Sequence, residues 1–173
     1  LVPDMSFERV LVLIGLDKHI TGNAYLEIVR DEDGLPAKLL WSPAVRTRAA
    51  WSASDLVPCT SLARDSIFSW DKEPQLRPFR RYVQLNLSNS QVRVWFKEYG
   101  DQRVMSRHSG TYFADLAALE AEEQERYPNQ PLAATEIYHM REEYGGSTAY
   151  GKADWSGIYP DMRGSRELAE GNL

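Results

Sequence analysis

The chain has 173 residues, of which 43% are hydrophobic and 26% are charged, and its formal net charge is −5 at pH 7. This is the composition of an ordinary globular protein, and it excludes a disordered, collagen-like or disulfide-scaffold chain. No apolar run approaches the roughly 18 residues of a membrane-spanning helix, so we expect no membrane span. Cys59 is the single cysteine and cannot form an internal disulfide, which favours a reducing compartment. The length predicts one domain over residues 1–173.

Charge is distributed unevenly along the chain. Residues 46–107 hold eleven Lys and Arg against six Asp and Glu, whereas residues 113–143 hold two against eight. Two solvated faces of one molecule are the simpler interpretation, and contacts between oppositely charged subunits are the alternative.

A helix is predicted over residues 6–20. Ser6 is a suitable N-cap, and Thr21 with Gly22 ends the segment. Its expected buried stripe consists of five apolar residues: Phe7, Val10, Leu11, Ile14 and Leu16.

Two antiparallel hairpins are predicted, over residues 23–41 and 81–99. Both show the period-two alternation of half-buried strands, and Asp33-Gly34 supplies the positive φ that a tight turn needs. Between the hairpins, residues 44–79 follow Pro43 and carry three further prolines and little periodicity, which predicts a long irregular loop region.

The last part of the chain predicts a helix, a strand and the start of a second helix. Residues 113–127 read as a helix with Phe113, Leu116, Ala117 and Leu119 inward, and residues 135–141 read as a strand. Residues 160–173 read as the start of a helix that is cut off. The first residue is not Met, so we expect the sequence to be a piece of a longer protein. The predicted fold class is α+β, with antiparallel hairpins packed against a few helices.

Gly146–Lys152 matches the phosphate-binding pattern G-x-x-x-x-G-K. Ala153 stands where that pattern needs a Ser or Thr to bind Mg²⁺. Only about twenty residues follow, too few for the strands and the acidic Mg²⁺ partner that such a nucleotide site requires. A glycine-rich turn is the simpler interpretation.

No other pattern predicts catalysis, a metal or a cofactor. Glu136 and His139 have the spacing of a metal-binding helix, but the segment reads as a strand, where positions three apart face opposite sides. We therefore expect His139 to be a partly buried, hydrogen-bonded histidine. Neither His19, His108 nor Cys59 lies in a recognisable nucleophile motif. We predict that the chain is not an enzyme.

The basic and aromatic run Arg77–Tyr82 is the only candidate contact for nucleic acid. Arg77, Arg80 and Arg81 have the charge needed to contact phosphates. An edge strand protected by its charges is the alternative, and it is the preferred interpretation.

Three blocks together resemble the portal proteins of tailed bacteriophages and prophages. The first is Ile20-Thr-Gly-Asn-Ala-Tyr-Leu-Glu-Ile-Val-Arg30, followed by Gly34, Pro36, Leu40-Trp-Ser-Pro43 and Val45-Arg46. The second is Val94-Trp-Phe-Lys-Glu-Tyr-Gly-Asp-Gln-Arg103. The third is Glu136-Ile-Tyr-His-Met-Arg141, then Tyr150-Gly151, Trp155 and Ser165-Arg-Glu-Leu-Ala-Glu170. Their order and spacing span nearly the whole chain, although Lys152 departs from the Pro that is common after the Tyr-Gly pair.

The resemblance implies the N-terminal wing and body of a portal subunit, without the stem and clip that line the channel. It implies a ring-shaped homo-oligomer, typically a dodecamer, at one capsid vertex, located in the virion and in the host cytoplasm during assembly. The implied partners are other copies of the chain, the terminase, capsid and head–tail adaptor proteins, and double-stranded DNA passing through the channel, with no membrane. Because exposed charge pairs are weak, we expect this piece alone to be a monomer or a weak, salt-sensitive oligomer. Because the channel lining is missing and the net charge is negative, we expect it to bind duplex DNA poorly.

Two alternatives remain open at the level of the sequence. One is a P-loop-like nucleotide-binding protein that uses Gly146–Lys152. The other is an independent binding module.

Overall fold

The computed structural model describes residues 5–50, 56–59, 75–142 and 150–153. Within these ranges the fold is α+β, as predicted: two helices, a six-stranded mixed sheet and two small two-stranded sheets. The elements in chain order are α1 (Phe7–Thr21), β1 (Asn23–Arg30), β2 (Pro36–Ser42), β3 (Thr47–Ala49), β4 (Leu56–Cys59), β5 (Gln75–Pro78), β6 (Arg81–Leu85), β7 (Val92–Glu98), β8 (Val104–Met105), β9 (Tyr112–Phe113), α2 (Leu116–Glu123) and β10 (Glu136–Arg141).

The large sheet has the strand order β2-β1-β10-β7-β6-β3. Both predicted hairpins are confirmed, as β1 with β2 and as β6 with β7. The predicted strand at 135–141 is confirmed as β10, which lies between the hairpins, antiparallel to β1 and parallel to β7. One strand from late in the chain therefore joins two local hairpins into a single sheet.

The core lies on both faces of this sheet. One face carries a buried cluster built from β1, β6, β7 and β10 and the segment after β2: Tyr25, Ala44, Tyr82, Phe96 and Ile137. On the other face α1 packs its buried side chains against β1: Val10 and Ile14 contact Ala24. Because successive side chains of a strand point to opposite faces, β1 is buried on both sides over most of its length.

Helix α1 has the predicted ends but not the predicted buried stripe. The Ser6 hydroxyl accepts a hydrogen bond from the Arg9 amide at 3.4 Å, and Gly22 closes the helix with φ +73°. Phe7 and Leu11 are about half exposed, with exposed fractions of 56% and 51%. Leu16 is exposed as well. The prediction was wrong for these three residues, because the helix rests on the sheet along a narrow line.

The helix predicted over residues 113–127 was too long. Phe113 belongs to β9, which pairs with Val104 of β8, so it does not face inward from a helix. Helix α2 begins only after Asp115, whose carboxylate accepts a hydrogen bond from the Ala118 amide at 2.8 Å. Leu119 is buried as predicted, whereas the prediction was wrong for Leu116 and Ala117, which are exposed. The helix is short because the preceding residues satisfy their backbone groups in a strand pair.

The predicted irregular region at 44–79 contains three short strands in its described parts. Strand β3 joins the edge of the large sheet, and β4 pairs with β5. Residues 51–55 and 60–74 of that region lie outside the described residues. So do the predicted helix start at 160–173 and residues 146–149 of the glycine-rich motif.

Candidate functional site

A pocket of about 370 Å³ opens beside strand β10 where its neighbour β7 ends. The two parallel strands are paired at only two positions, Glu136 with Lys97 and Ile137 with Glu98. The Tyr99 amide makes one more bond to the Ile137 carbonyl, at 2.9 Å, and the chain then turns at Gly100 with φ +86°. Strand β10 continues to Arg141. On the side of β7 its last residues border an opening, whereas on the other side they pair with β1.

Arginine side chains from two parts of the chain line this pocket. Arg77 belongs to β5 and Arg80 precedes β6, whereas Arg141 is the last residue of β10. Among the described residues that line the pocket, Glu98 is the one with an acidic side chain. The described lining thus includes three arginines and one glutamate.

Glu98 holds the segment between β5 and β6 in place. One of its carboxylate oxygens accepts a 2.6 Å hydrogen bond from the Arg80 amide, and the other lies 3.4 Å from the Arg77 guanidinium. That guanidinium also lies over the ring of the fully buried Phe79, 4.3 Å from its centroid. These contacts hold Arg77 and Arg80 in position at the wall of the pocket.

Aromatic side chains form the inner wall around His139. The imidazole stacks on Tyr25, and its Nε2 lies 3.0 Å from Asn23 Oδ1. Because Asn23 Nδ2 donates to the Thr21 carbonyl, Oδ1 is the acceptor and Nε2 of His139 carries the proton. The other ring nitrogen, Nδ1, faces the Tyr82 hydroxyl at 3.5 Å.

Burial, together with the nearby charges of Arg141 and Arg80, lowers the pKa of His139 to about 4. The imidazole is therefore neutral at pH 7. Burial also raises the pKa of the Tyr82 hydroxyl, so this group stays protonated. The inner wall adds hydrogen-bonding groups to the pocket and no charge.

The structure brings together two of the three arginines that the sequence singled out. Arg81 is not part of the pocket: its guanidinium lies 5.6 Å from the Trp95 ring centroid, and its Nη1 donates to the Gly110 carbonyl at 3.0 Å. Arg81 is separated from the pocket because it is on strand β6, where it faces away from its neighbour Tyr82. Whether these arginines contact nucleic acid stays a prediction.

Sequence reasoning missed Arg141 as a site residue. The run 135–141 was recognised as a strand, but nothing local in it indicates that Arg141 ends next to residues 77–80. Only the position of β10 in the sheet brings these residues together.

The other candidate residues do not form a joint site in the described part of the chain. Glu136 makes two bonds with Arg30, at 2.8 and 2.9 Å, on the face of the sheet opposite to His139. His139 is partly buried and hydrogen-bonded, as predicted. His19 lies on α1, and His108 stacks on Tyr127, with ring centroids 3.8 Å apart. Among the described residues, no three His, Cys, Asp or Glu side chains are grouped so that they could hold a metal ion.

The described end of the glycine-rich motif is tied to the start of β1. The Gly151 amide donates to Asn23 Oδ1 at 2.6 Å, and the Gly151 carbonyl accepts from Asn23 Nδ2 at 3.3 Å. Both backbone groups of Gly151 thus have structural partners.

A second feature is the exposed apolar side of α1, which we call the outer face. It consists of Val12, Leu16 and Ile20, spaced four residues apart and exposed to 61%, 52% and 48%. Phe7 and Leu11 continue the apolar surface at its side. A helix that is apolar on most of its circumference is usually covered on more than one side.

In the residues described here, no helix has the length and apolarity to cross a membrane. No protein-family model matches the chain, and no solved structure matches it.

The chain is a distant homologue of a protein from a phage-like element. It is 30% identical over 170 residues to the "Phage-like element PBSX protein XkdE" of Bacillus subtilis (strain 168). It is 28% identical over 171 residues to the "Uncharacterized protein YqbA" of the same organism. Each alignment covers 98% of this chain but only 30% and 29% of the relative, so the chain spans about a third of the length of the curated relatives that it matches.

Proposed function

We propose that this phage-related chain is the wing and body part of a portal subunit, a structural component of the ring at one vertex of a phage-like particle. In this role the ring serves DNA packaging, DNA ejection and the joining of head to tail. Its partners are further copies of the same protein, together with the terminase, capsid and head–tail adaptor proteins. We place the protein in the particle, at the portal vertex.

The observation that carries this proposal is the position of the three blocks that resemble portal proteins. They are far apart in the sequence, at residues 20–46, 94–103 and 136–170. In the structure they contribute β1 with β2, β7, and β10, which are the four neighbouring strands β2-β1-β10-β7. The resemblance thus concerns one contiguous part of the fold. The homology to a protein of a phage-like element over 98% of the chain supports the same conclusion.

The surface of the chain suits contacts with other subunits. The outer face of α1 exposes Val12, Leu16 and Ile20, and such a patch on a small protein is typical of an interface. The opposite charges of residues 46–107 and 113–143 add a salt-sensitive component to such contacts. The apolar face is a contribution that the sequence prediction, which considered only charge pairs, did not include.

The test measures how many copies of the full-length gene product are present in each purified particle, and where they are. A portal subunit is expected at about a dozen copies, since it forms a single closed ring, and antibodies against this chain should label one vertex, beside the tail. A capsid subunit would instead be present in hundreds of copies over the whole shell, on the order set by its repeating symmetry. Copy numbers of that size, or absence from the particle, would overturn the proposal.

A pair of variants tests the part of the proposal that concerns assembly. Val12→Lys with Leu16→Lys in the full-length gene product should lower the yield of rings seen by native mass spectrometry, because charges then occupy the outer face. Leu35→Lys is the matched control, since Leu35 is 62% exposed at the turn between β1 and β2 and is not part of the outer face. Equal ring yields for both variants would show that the outer face of α1 does not take part in subunit contact.

A further inference from the structure

Strand β2 forms one edge of the six-stranded sheet, and its outer side carries main-chain groups that no residue in the described part of the chain pairs. The pairing of β1 decides which groups these are. The Glu142 amide donates to the Gly22 carbonyl at 2.9 Å, so alternate residues from Gly22 into β1 bond to β10, and those between them bond to β2. Leu40 of β2 therefore faces β1, whereas the amides and carbonyls of Leu39 and Trp41 point outward.

The opposite edge of the sheet, strand β3, is closed. The Thr47 amide donates to the Pro43 carbonyl at 3.0 Å. The Ala49 amide donates to the Tyr150 hydroxyl at 3.0 Å, and this hydroxyl donates to the Ala49 carbonyl at 3.4 Å. A further strand would have to displace Tyr150 to pair with β3, so the large sheet is open to extension at β2.

The second half of β2 lacks the features that usually protect an edge strand. Such strands carry prolines, charges or bulges that discourage pairing. Pro36 and Lys38 are near the start of β2, and the register shift at Val29 and Arg30 is opposite them. The run Leu39–Trp41 that follows is apolar and only partly buried. An edge of this kind is a template for another strand.

We propose that β2 pairs with β2 of a second copy, antiparallel and with a twofold axis at Leu40. In this register Leu39 of one copy faces Trp41 of the other, and their outward amides and carbonyls bond in both directions. Leu40 faces Leu40 and Lys38 faces Ser42, so no like charges meet across the pair. The strand is complementary to itself, and the two sheets become one.

Helix α1 supplies a second reason for this occupant. The helix packs against β1 and β2, and the Asp17 carboxylate accepts bonds from the Trp41 indole and the Ala44 amide, both at 2.8 Å. Leu13 and Ile20 are four and three residues from Asp17, so they are on the same side of the helix, toward the edge. A twofold axis perpendicular to the sheet places both copies of α1 on the same face. One partner therefore covers both the open edge and the apolar side of α1 nearest to it.

This inference goes beyond the proposed function and does not rest on it. Identical surfaces meet in the β2 pair, whereas neighbours in a closed ring meet through two different surfaces. The contact thus joins chains that are not neighbours in one ring.

The first experiment measures the mass of the 173-residue chain by sedimentation at concentrations from about 1 to about 100 μM. We expect a dimer that persists in about 0.5 M salt, because main-chain bonds and apolar contacts are not screened as exposed charge pairs are. Amide hydrogen exchange at Leu39 and Trp41 should slow as the dimer forms, since these amides become bonded.

A pair of variants at one position tests the role of the main chain. Leu39→Pro removes an outward amide and no bond to β1, and proline is tolerated on an edge strand whose N–H faces solvent. We expect it to fold and to weaken dimerisation at least about tenfold. Leu39→Ala is the matched control, because it shortens the same side chain and keeps the amide, and it should still dimerise.

Charges at the axis test the register. Leu40→Lys and Leu40→Glu should each be monomeric alone, since like charges then face each other, and a mixture of the two should recover the dimer. The same two substitutions at Leu35, which is exposed in the turn before β2, are the control. They should dimerise like the unchanged chain, alone or mixed.

Four results would overturn the proposal. They are a monomer at the highest concentration, a dimer that Leu39→Pro leaves unchanged, a mixture of the Leu40 variants that associates no better than either alone, and a dimer in which the Leu39 and Trp41 amides exchange as fast as in the monomer. Circular dichroism checks that each variant is folded. No particle is used in these measurements, so their failure leaves the proposed portal role standing.

Discussion

The imidazole of His139 lies nearly flat against the ring of Tyr25, with ring centroids 4.4 Å apart and the two planes at 20°. The two residues face each other across paired strands β1 and β10. Asn23 holds the imidazole by its Nε2, and burial together with Arg141 and Arg80 keeps it neutral, with a pKa of about 4. A neutral, fixed histidine thus joins β10, which links the two hairpins, to its neighbour β1.

We predict that the free energy of unfolding decreases as the pH falls from about 6.5 to about 4. The pKa of His139 is lowered in the folded state from its ordinary value of 6.5, so in this interval the unfolded chain binds a proton that the folded chain does not. Stability is therefore fully present above about 6.5 and is lost progressively toward about 4, by on the order of 1–3 kcal/mol. Urea unfolding at a series of pH values measures the effect. His139→Gln should remove this component, and an unchanged pH profile in that variant would contradict the assignment.

Tyr25→Phe should leave stability unchanged or raise it by up to about 1 kcal/mol. The Tyr25 hydroxyl is buried and finds no hydrogen-bond partner among the described residues, so its removal relieves a desolvated polar group while the stacked ring remains. Thermal unfolding compares it with Tyr82→Phe, which loses a hydroxyl facing His139 and should not be stabilised. A clear loss of stability in Tyr25→Phe would show that the hydroxyl has a partner.

Two glycines near α1 should respond to alanine in opposite directions. Gly22 has φ +73°, and a Cβ there would run into the main chain of Lys152 and Ala153, so Gly22→Ala should cost about 2 kcal/mol or more. Gly15 is within the helix with open space around it, so Gly15→Ala should raise stability by about 0.5–1 kcal/mol. Chemical denaturation of the two variants is the measurement. Similar effects in both would contradict the contact between Gly22 and the segment after β10.

Arg30→Met should destabilise the fold much more than Lys18→Met. Glu136 has a side chain exposed to only 7%, and loss of Arg30 leaves its carboxylate buried without its main ionic partner, at a cost of about 2–4 kcal/mol. The ion pair of Lys18 with Glu142 is exposed on both sides, at 45% and 46%, and its loss should cost about 0–1 kcal/mol. The double variant Arg30→Met with Glu136→Leu should recover part of the loss, which unfolding curves can show.

We expect no ATP hydrolysis by this chain, and no effect of Lys152→Ala on any nucleotide binding. The described end of the glycine-rich motif supports this expectation, because both backbone groups of Gly151 bond to Asn23 and a phosphate-binding loop needs such amides for its ligand. A coupled assay for released phosphate is the measurement. Hydrolysis that disappears in Lys152→Ala would favour the nucleotide-binding alternative instead.

The sequence by itself determined the local elements of this protein. Period-two alternation and the Asp33-Gly34 turn determined the first hairpin, and the Ser6 cap and Gly22 determined the ends of α1, because each depends on contacts between residues close in the chain. It failed for Phe113, where pairing with Val104 competes with helix formation, and for the half-exposed residues of α1, where the fit against the sheet decides burial.

Only the tertiary structure decided the position of β10 and the pocket that depends on it. The pairing of Asn23 with Arg141 joins residues more than a hundred positions apart, and no local pattern encodes such a contact. Arg77 and Arg80 were visible in the sequence as charges, but their pocket exists because β7 stops while β10 continues to Arg141. Where a strand inserts is decided by the burial of its two faces, here against α1 on one side and the aromatic cluster on the other, and that burial exists only in the folded chain.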